Sequence, residues 1–552
     1  MRHKIFMGCM MATSLLAMSC DDFLTEDPKG LITPSNYMTN QEALDGSVTA
    51  LYQKVNLTQS WTNMMYPQWQ GDDITANPGS NKQACAELDA FRAANNNKGL
   101  TAAWDNHYAV IKAANLIIAT AKTAPVSETE QNIALGQAYY WRAYAYFYLV
   151  RVFGPLPLVT SPDITAIDQA PESVEKVYEL IVNDLTEAAG LLPTGYSTAP
   201  RAHDGINAYT TKQAVQATLA AVYMAMAGYP LNKGTEYYKM AAEQAKAVID
   251  KEGEYGFYLE ADWREVYSMG HNYNKASVVG IDYSPLNGCW WLDSQLTSCC
   301  RFEGLGDGGW GDAWGESKFW ENYPEGPRKD AVYAPKITFE DANGNIYKTV
   351  DWWERDADGN PVVDAEHPMF AIFTVNADEN GNELKQPYDY TKRNYRGMTN
   401  GHRHRVIRYS EVLLWYAESA ARSGGDLTLA KQCLKRVHER ACNDATSITI
   451  PGQGTFAIDA LNADQLAEAA YWEHGWEVAG YWCSMVTRRS DEMRMNRLKE
   501  NFEYRKANAP VEVAPGIFVK EKVSVTGEWK GDESIYLAYP NTEVEKNPNL
   551  KK

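Results

Sequence analysis

The sequence is poor in positive charge. Its 552 residues contain 52 Lys and Arg against 71 Asp and Glu, so the formal net charge at pH 7 is −19. A surface with this excess of acids repels phosphate backbones and anionic lipid headgroups. The composition therefore argues against nucleic acid or an anionic bilayer surface as a partner, and it leaves uncharged or cationic ligands open.

The sequence also lacks a regular cysteine pattern. Apart from Cys9 and Cys20, its cysteines are odd in number and spread along the chain: Cys85, Cys289, Cys299, Cys300, Cys433, Cys442 and Cys483. This spacing argues against a disulfide framework, and the absence of any Cys-x-x-Cys pair argues against a structural zinc site. Cys299 and Cys300 are neighbours, which allows either a vicinal disulfide or two free thiols.

No apolar run reaches the roughly 20 residues that a membrane-spanning helix needs. The N-terminus instead has Arg2 and Lys4 before a mostly apolar stretch, residues 5–18, of the length found in secretory signals. Small residues then lead to Cys20, as in a bacterial lipoprotein signal. We predict that residues 1–19 are a signal peptide and that Cys20 becomes the acylated first residue. The alternative is an ordinary signal peptide with an incidental cysteine.

Helical periodicity is abundant on both sides of an irregular middle. Its clearest unit, residues 408–441, carries two apolar stripes separated by Gly424-Gly425-Asp426. Small residues where two helices cross, at a length of 34 residues, are typical of tetratricopeptide hairpins, which must stack to bury their apolar faces. We therefore predict a mostly α fold, with a tetratricopeptide-like scaffold of helical hairpins over about 40–252 and 408–490.

The middle, about 253–407, is predicted to be a large irregular insertion within one domain that spans 20–552. Three segments in it, "FEDANGNIY", "RDADGNPVV" and "NADENGNEL", place Asn-Gly or Asp-Gly between short strand-like pieces, which predicts β-hairpins. The acids of the second segment do not have the spacing of a calcium loop. "HRHR", residues 402–405, is interpreted as a polar surface patch, since its arginines repel a metal ion. No metal or cofactor is expected.

The insertion is rich in tryptophan. Residues 288–320 contain five of the 17 tryptophans of the chain, together with a glycine-rich stretch: Trp290, Trp291, Trp310, Trp314 and Trp320. Glycine-rich segments are usually surface loops, and a flat apolar ring beside polar groups suits the faces and hydroxyls of a sugar. We predict that the ligand-stacking residues are among these five, with Trp69 on a separate loop as a further candidate. The alternative is that the rings pack the insertion onto the helices.

Motifs of familiar catalytic sites are absent. The sequence has no Gly-x-Ser-x-Gly, His-Glu-x-x-His or nucleophilic Cys–His signature, and its "GLGDGG" lacks the strand–helix context of a nucleotide site. Paired carboxylates of a glycoside hydrolase leave no sequence signature. A sugar-binding protein and a surface glycoside hydrolase therefore both remain open, with a scaffold for cell-surface assembly as a third class.

Four segments resemble the SusD/RagB-like nutrient-uptake lipoproteins of outer membranes. "CDDFLTEDP" is similar to the family's mature start, and "AYYWRAYAYFYLVRVFGPLPL" is similar to its helix ending in Phe-Gly-x-x-Pro-Leu. "IRYSEVLLWYAESAARSGG" resembles its Arg-x-x-Glu-Val-x-Leu helix, and "IYLAYPNTEVEKNPNL" resembles its closing Tyr-Pro and Asn-Pro-x-Leu signature. The four occur in the family's order and cover the chain nearly end to end.

The resemblance implies a non-catalytic function at the cell surface. Such a protein is a lid on a TonB-dependent transporter of the SusC kind, which captures an oligosaccharide, or less often another nutrient, and delivers it to the pore. It further implies a lipid anchor at Cys20 in the outer membrane. The helical scaffold would then face the transporter, and the insertion would carry the ligand site.

Overall fold

The computed structural model of the protein describes residues 38–60, 67–79, 83–162, 168–283, 294, 311–334, 336–340, 346–372 and 401–551. The fold is mostly α, as predicted. Its helices are α1 Gln41–Thr58, α2 Gln83–Asp89, α3 Lys98–Thr120, α4 Glu128–Phe153, α5 Val174–Leu191, α6 Lys212–Ala227, α7 Thr235–Ile249, α8 Glu252–Tyr255, α9 Ser317–Glu321, α10 Pro327–Val332, α11 Tyr409–Ser423, α12 Leu427–Glu439, α13 Ala463–Glu477, α14 Arg488–Arg494, α15 Leu498–Ala507 and α16 Asn541–Lys546. Within the described residues, no helix has both the length and the hydropathy needed to span a membrane.

Local signals set the ends of the long helices. Ser127 caps α4 by accepting a hydrogen bond from the backbone N–H of Glu130, which satisfies one of the free donors of the first turn. The same helix ends at Gly154, whose φ is +79°, a value that favours glycine. A Cβ on Gly154 would lie 2.9 Å from the ring of Tyr536, so this position also needs the smallest residue for packing.

Consecutive helices pack against each other along the chain. α3 contacts α4, α4 contacts α5, α6 contacts α7, and α11 contacts α12. The hairpin predicted at residues 408–441 is confirmed, because α11 ends at left-handed Gly424 and Asp426 caps α12. α11 also packs on α7 and α13, which joins the helices on the two sides of the insertion. The tetratricopeptide arrangement of these hairpins stays a prediction.

The strands form two-stranded antiparallel pairs. The pairs are β1 Ile74–Ala76 with β5 Ala313–Gly315, β2 Ala202–His203 with β3 Ile206–Asn207, β4 Ser277–Ile281 with β8 His404–Arg408, β6 Ile337–Glu340 with β7 Ile346–Val350, β9 Ser447–Ile450 with β10 Gly454–Ala457, and β11 Val511–Ala514 with β12 Ile517–Val519. "FEDANGNIY" joins β6 to β7, which confirms a predicted hairpin. "RDADGNPVV" forms a turn in which Asp356 accepts from the backbone N–H groups of Asp358 and Asn360. "NADENGNEL" lies outside the described residues.

Two of these pairs attach the middle of the chain to the helices. β4 leads into residues 282–403 and β8 leads out of them, with Ile281 opposite His404 and Ser277 opposite Arg408. β8 continues directly into α11. The β1–β5 pair makes a second attachment, because it joins the segment after α1 to the end of the tryptophan-rich stretch. The two pairs therefore hold the middle of the chain at β4, β8 and β5.

Candidate functional site

The end of α1 and the start of the tryptophan-rich stretch meet in what we call the anchor cluster: Gln59, Tyr144, Tyr283, Ser294 and His404. Gln59 donates to the hydroxyl of Tyr144 at 2.7 Å. The ring centroids of Tyr283 and His404 lie 4.3 Å apart. The Tyr283 hydroxyl donates to a backbone carbonyl near the end of α1 at 3.1 Å. The end of α1 and the end of β4 thus meet in this cluster.

His404 links Gln59, next to the end of α1, to Ser294 of the tryptophan-rich stretch through its two ring nitrogens. Nδ1 lies 3.2 Å from Oε1 of Gln59, and Nε2 lies 2.9 Å from the hydroxyl oxygen of Ser294. Burial and the neighbouring Arg405 lower the pKa of His404 to about 3, so the ring is neutral at physiological pH. Because Oε1 of an amide only accepts, Nδ1 donates to Gln59 and Nε2 accepts from Ser294.

The interpretation of "HRHR" as a surface patch was wrong. His402, Arg403, His404 and Arg405 are all buried. Arg403 donates to the backbone carbonyl of Asn207 at 2.8 Å, and Arg405 donates to that of His271 at 2.9 Å. These arginines hold β8 against segments that are distant in sequence. The sequence showed the charges but not the carbonyl groups that accept from them.

Three of the six predicted ligand-binding tryptophans fall within the described residues. Trp69 is completely buried in the main core, and Trp314 is 4% exposed and stacks on His367 at 5.3 Å between ring centroids. Trp320 is partly exposed, but the ammonium of Lys329 lies 4.2 Å from its ring centroid. Burial leaves Trp69 and Trp314 no free ring face for a sugar in this conformation.

The other three tryptophans, Trp290, Trp291 and Trp310, lie outside the described residues, as do Cys20, Cys299 and Cys300. Their roles stay predictions. Sequence reasoning missed the anchor cluster itself, and "HRHR" was the one signal near it. Gln59 and Tyr283 carry no motif, because their meeting depends on how α1 and β4 pack.

A largely buried arginine–glutamate network includes the last residue of β8 and consists of Glu473, Glu477, Arg328, Arg408 and Arg440. Glu477 accepts from Arg408 and from Arg328, each at 2.9 Å, and also from Arg440. Glu473 accepts from Arg328 at 2.7 Å. Although burial opposes it, the three guanidinium groups hold the pKa of Glu477 well below its usual range. The network fastens α10, β8 and the end of α12 to α13.

Two groups of side chains have ligand atoms close enough together to hold a metal ion: His438, Cys442 and Glu473, and Glu260, Glu265 and His271. In the first, the Glu473 carboxylate already accepts from Arg328 and lies 2.8 Å from Nδ1 of His438. Burial opposes protonation of His438, but Glu473 outweighs it and raises the pKa to about 10, so the protonated ring offers no lone pair to a metal.

In the second group, Glu260 and Glu265 both lie close to the ring of His271. Glu260 is 3.4 Å from Nδ1 of the ring, and Glu265 is 3.6 Å from Nε2. Acidic groups of this kind are common without a metal ion, so we do not assign a metal site to this group.

Comparison with known proteins places both ends of the chain in one family. Residues 22–224 match the family model described as "Starch-binding associating with outer membrane", and residues 372–552 match the model of the SusD family. A SusD-like protein of Bacteroides ovatus is 24% identical over 590 residues, which cover 98% of this chain and 95% of the relative.

Solved structures share the fold across almost the whole chain. A SusD homologue from Bacteroides thetaiotaomicron superposes with a TM-score of 0.71 at 18% identity, covering 94% of this chain and 97% of that one. A laminarin-binding SusD-like protein superposes with a TM-score of 0.68 at 17% identity, covering 92% and 98%. With the helical fold, the matches at both ends and the full-length relative in agreement, the chain belongs to the SusD/RagB-like family.

Proposed function

We propose that this protein is a lipid-anchored, cell-surface glycan-binding protein that captures oligosaccharides and delivers them to a TonB-dependent, SusC-like transporter in the outer membrane. The family supports this proposal, since one of its models is described as starch-binding and associated with the outer membrane. A structural relative named for laminarin binding supports a glycan as the ligand. The proposed function requires no catalytic group and no cofactor.

The observation that carries the proposal is the anchor cluster. Tyr283 precedes the tryptophan-rich stretch and contacts α1, and β5 near its end pairs with β1, so both points are tied to the segments on either side of residues 61–66. Aromatic residues presented from fixed ends lose less conformational entropy when they bind a ligand. We propose that Trp290, Trp291 and Trp310 supply the stacking faces and that Trp320 lies at the edge of the site.

The proposed organisation is a single domain over residues 20–552 after a signal peptide of residues 1–19. The helical scaffold, about 40–252 and 408–490, would face the transporter. The insertion, about 253–407, would carry the ligand site, with the β4–β8 pair as its stem. This division separates the surface for the partner protein from the surface for the glycan.

We expect the purified protein to bind a glycan without cleaving it. Calorimetric titration against a panel of oligosaccharides, with laminarin oligosaccharides first, should identify at least one ligand. Prolonged incubation with that ligand, followed by chromatography of the products, should return it intact. Reproducible release of shorter sugars would instead favour a surface glycoside hydrolase, whose two carboxylates need no sequence motif.

Replacing Cys20 with alanine is expected to release the protein from the membrane. A single acyl chain holds a protein only weakly, so stable attachment needs the two or three chains of a bacterial lipoprotein, and all of them depend on this cysteine. In cells, Cys20→Ala should abolish labelling by a fatty-acid probe and shift the protein out of the membrane fraction. Cys9→Ala is the matched control and should behave like the wild type. Continued labelling of Cys20→Ala would contradict the lipoprotein assignment.

A further inference from the structure

A cleft of about 380 Å³ lies between α13, α14 and α15 and is bordered by α9 and by the turn between β9 and β10. Its volume is within the range of small-molecule sites. Six of its lining residues carry the argument: Asp72, Glu316, Trp472, Arg488, Glu492 and Asn501. None of them belongs to the anchor cluster, and Glu316 is the one that lies in the tryptophan-rich stretch, near its end.

The cleft has more negative charge than its own cations neutralise. Asp72 accepts two hydrogen bonds from Arg488, at 2.6 and 2.9 Å. Glu468 is paired in the same two-point manner with Arg497, at 2.7 and 2.9 Å. Within the described residues, Glu316 and Glu492 form no ion pair, although both line the cleft. A positively charged ligand would compensate this excess.

Four buried polar atoms around the cleft have no hydrogen-bond partner within the described part of the chain. Three are acceptors, Oε1 of Glu316, Oε2 of Glu492 and Oδ1 of Asn501, and the fourth is the donor Nη1 of Arg488. The residues that carry them are at most 6% exposed. An unmade hydrogen bond in such a place opposes folding, so a cluster of four calls for a functional explanation.

Other acids close to Glu316 and Glu492 also favour a cation in the cleft. Burial and the proximity of Glu521 raise the pKa of Glu316, although Arg505 opposes the shift. Burial and the proximity of Asp72 raise the pKa of Glu492, although Arg488 and Arg489 oppose the shift. Their environment therefore disfavours two bare carboxylates and favours a proton or another cation beside them. An ammonium group meets this need and can donate up to three hydrogen bonds.

An aromatic platform borders the same space. The indole of Trp472 is partly exposed, and its N–H donates to Glu468 at 3.0 Å, which fixes the ring. The guanidinium of Arg488 lies 4.4 Å from the indole centroid and covers part of it. A ring held beside acceptor groups in this way can pack against the C–H groups of a pyranose.

We propose that this cleft is a second ligand site, which binds a cationic amino sugar of monosaccharide size. The ammonium group faces Glu316 and Glu492, the hydroxyl groups reach Asn501 and Arg488, and the sugar ring packs beside Trp472. Because the four unpartnered atoms are covered, contact with them requires a small side-chain rotation or a bridging water. The proposal does not depend on the glycan site of the tryptophan-rich stretch.

Titration calorimetry at pH 7 with three sugars tests the proposal on the mature protein. D-glucosamine carries the ammonium group, whereas D-glucose and N-acetyl-D-glucosamine are uncharged sugars of similar shape. We expect D-glucosamine to bind at least tenfold more tightly than either. Equal affinities for the three sugars, or no measurable binding of D-glucosamine, would overturn the proposal.

Substitutions then locate the site. Glu492→Gln and Glu316→Gln keep the side-chain shape and remove the charge, and each should weaken D-glucosamine binding about tenfold. Glu503→Gln, on an exposed position of α15, is the matched control and should bind like the wild type. A melting curve of each variant checks folding. If both cleft variants fold and bind D-glucosamine as the wild type does, the site is elsewhere and the proposal fails.

Discussion

Replacing Glu477 with glutamine is expected to lower the free energy of unfolding by about 3–5 kcal/mol, the usual cost of removing one partner from a buried ion pair. Glu477 is 1% exposed and neutralises part of the charge of Arg328, Arg408 and Arg440. Glutamine has nearly the same volume, so no cavity contributes to the loss. Arg408 would stay buried, and Arg440 largely buried, without the carboxylate that they share.

Urea unfolding followed by circular dichroism measures this loss. The matched control is Asp459→Asn, which removes a carboxylate whose side chain is 80% exposed and which lies 3.4 Å from the ammonium of Lys435. An exposed pair of this kind contributes about 0–1 kcal/mol, so the control should unfold at nearly the wild-type urea concentration. Equal midpoints for the two variants would show that the network does not stabilise the fold.

The same network explains why the position of the insertion relative to the helices could not be predicted from the sequence. Arg328 comes from α10 within the insertion, Arg408 ends β8, and both glutamates lie on α13. No local pattern relates these positions, because the carboxylates and guanidinium groups meet only when the helices have packed. Arginine is usually exposed, so a buried cluster of arginines is the least expected use of these residues.

Structural features that depend on residues close together in the sequence were predictable. The hairpin at α11 and α12 follows from two apolar stripes and the Gly424-Gly425-Asp426 turn, and the β6–β7 hairpin follows from Asn-Gly. The β4–β8 and β1–β5 pairs join segments that are distant in the sequence. They were not predictable, since strand pairing at long range is decided by packing and not by turn chemistry.

The tryptophans show the same limit of prediction from the sequence. A glycine-rich neighbourhood suggested that Trp314 lies on a surface loop, but residues 313–315 pair with β1 and turn the ring towards a small core with Trp352 and Met369. Trp69 is likewise covered, at the 3-10 helix that precedes β1. Composition therefore found the tryptophan-rich stretch but could not distinguish core rings from exposed ones.

Alanine substitutions are expected to separate these two kinds of tryptophan. Trp314→Ala removes a buried ring and should lower the free energy of unfolding by about 3–5 kcal/mol, as large-to-small core substitutions of aromatic residues do. Among Trp290→Ala, Trp291→Ala and Trp310→Ala, at least one should lose tenfold or more in glycan affinity at an unchanged melting temperature. That loss equals about 1.4 kcal/mol, which is within the range of an aromatic residue at a binding hot spot.

Melting temperature and glycan affinity, measured on each variant, distinguish a core ring from a ligand-stacking ring. A core ring is surrounded by protein, so its loss leaves a cavity and destabilises the fold whether or not ligand is present. A stacking ring contacts ligand on one face, so its loss appears only when ligand binds. If all three insertion variants melt early and bind normally, these rings pack the insertion onto the helices. The glycan site would then have to be formed by residues outside the tryptophan-rich stretch.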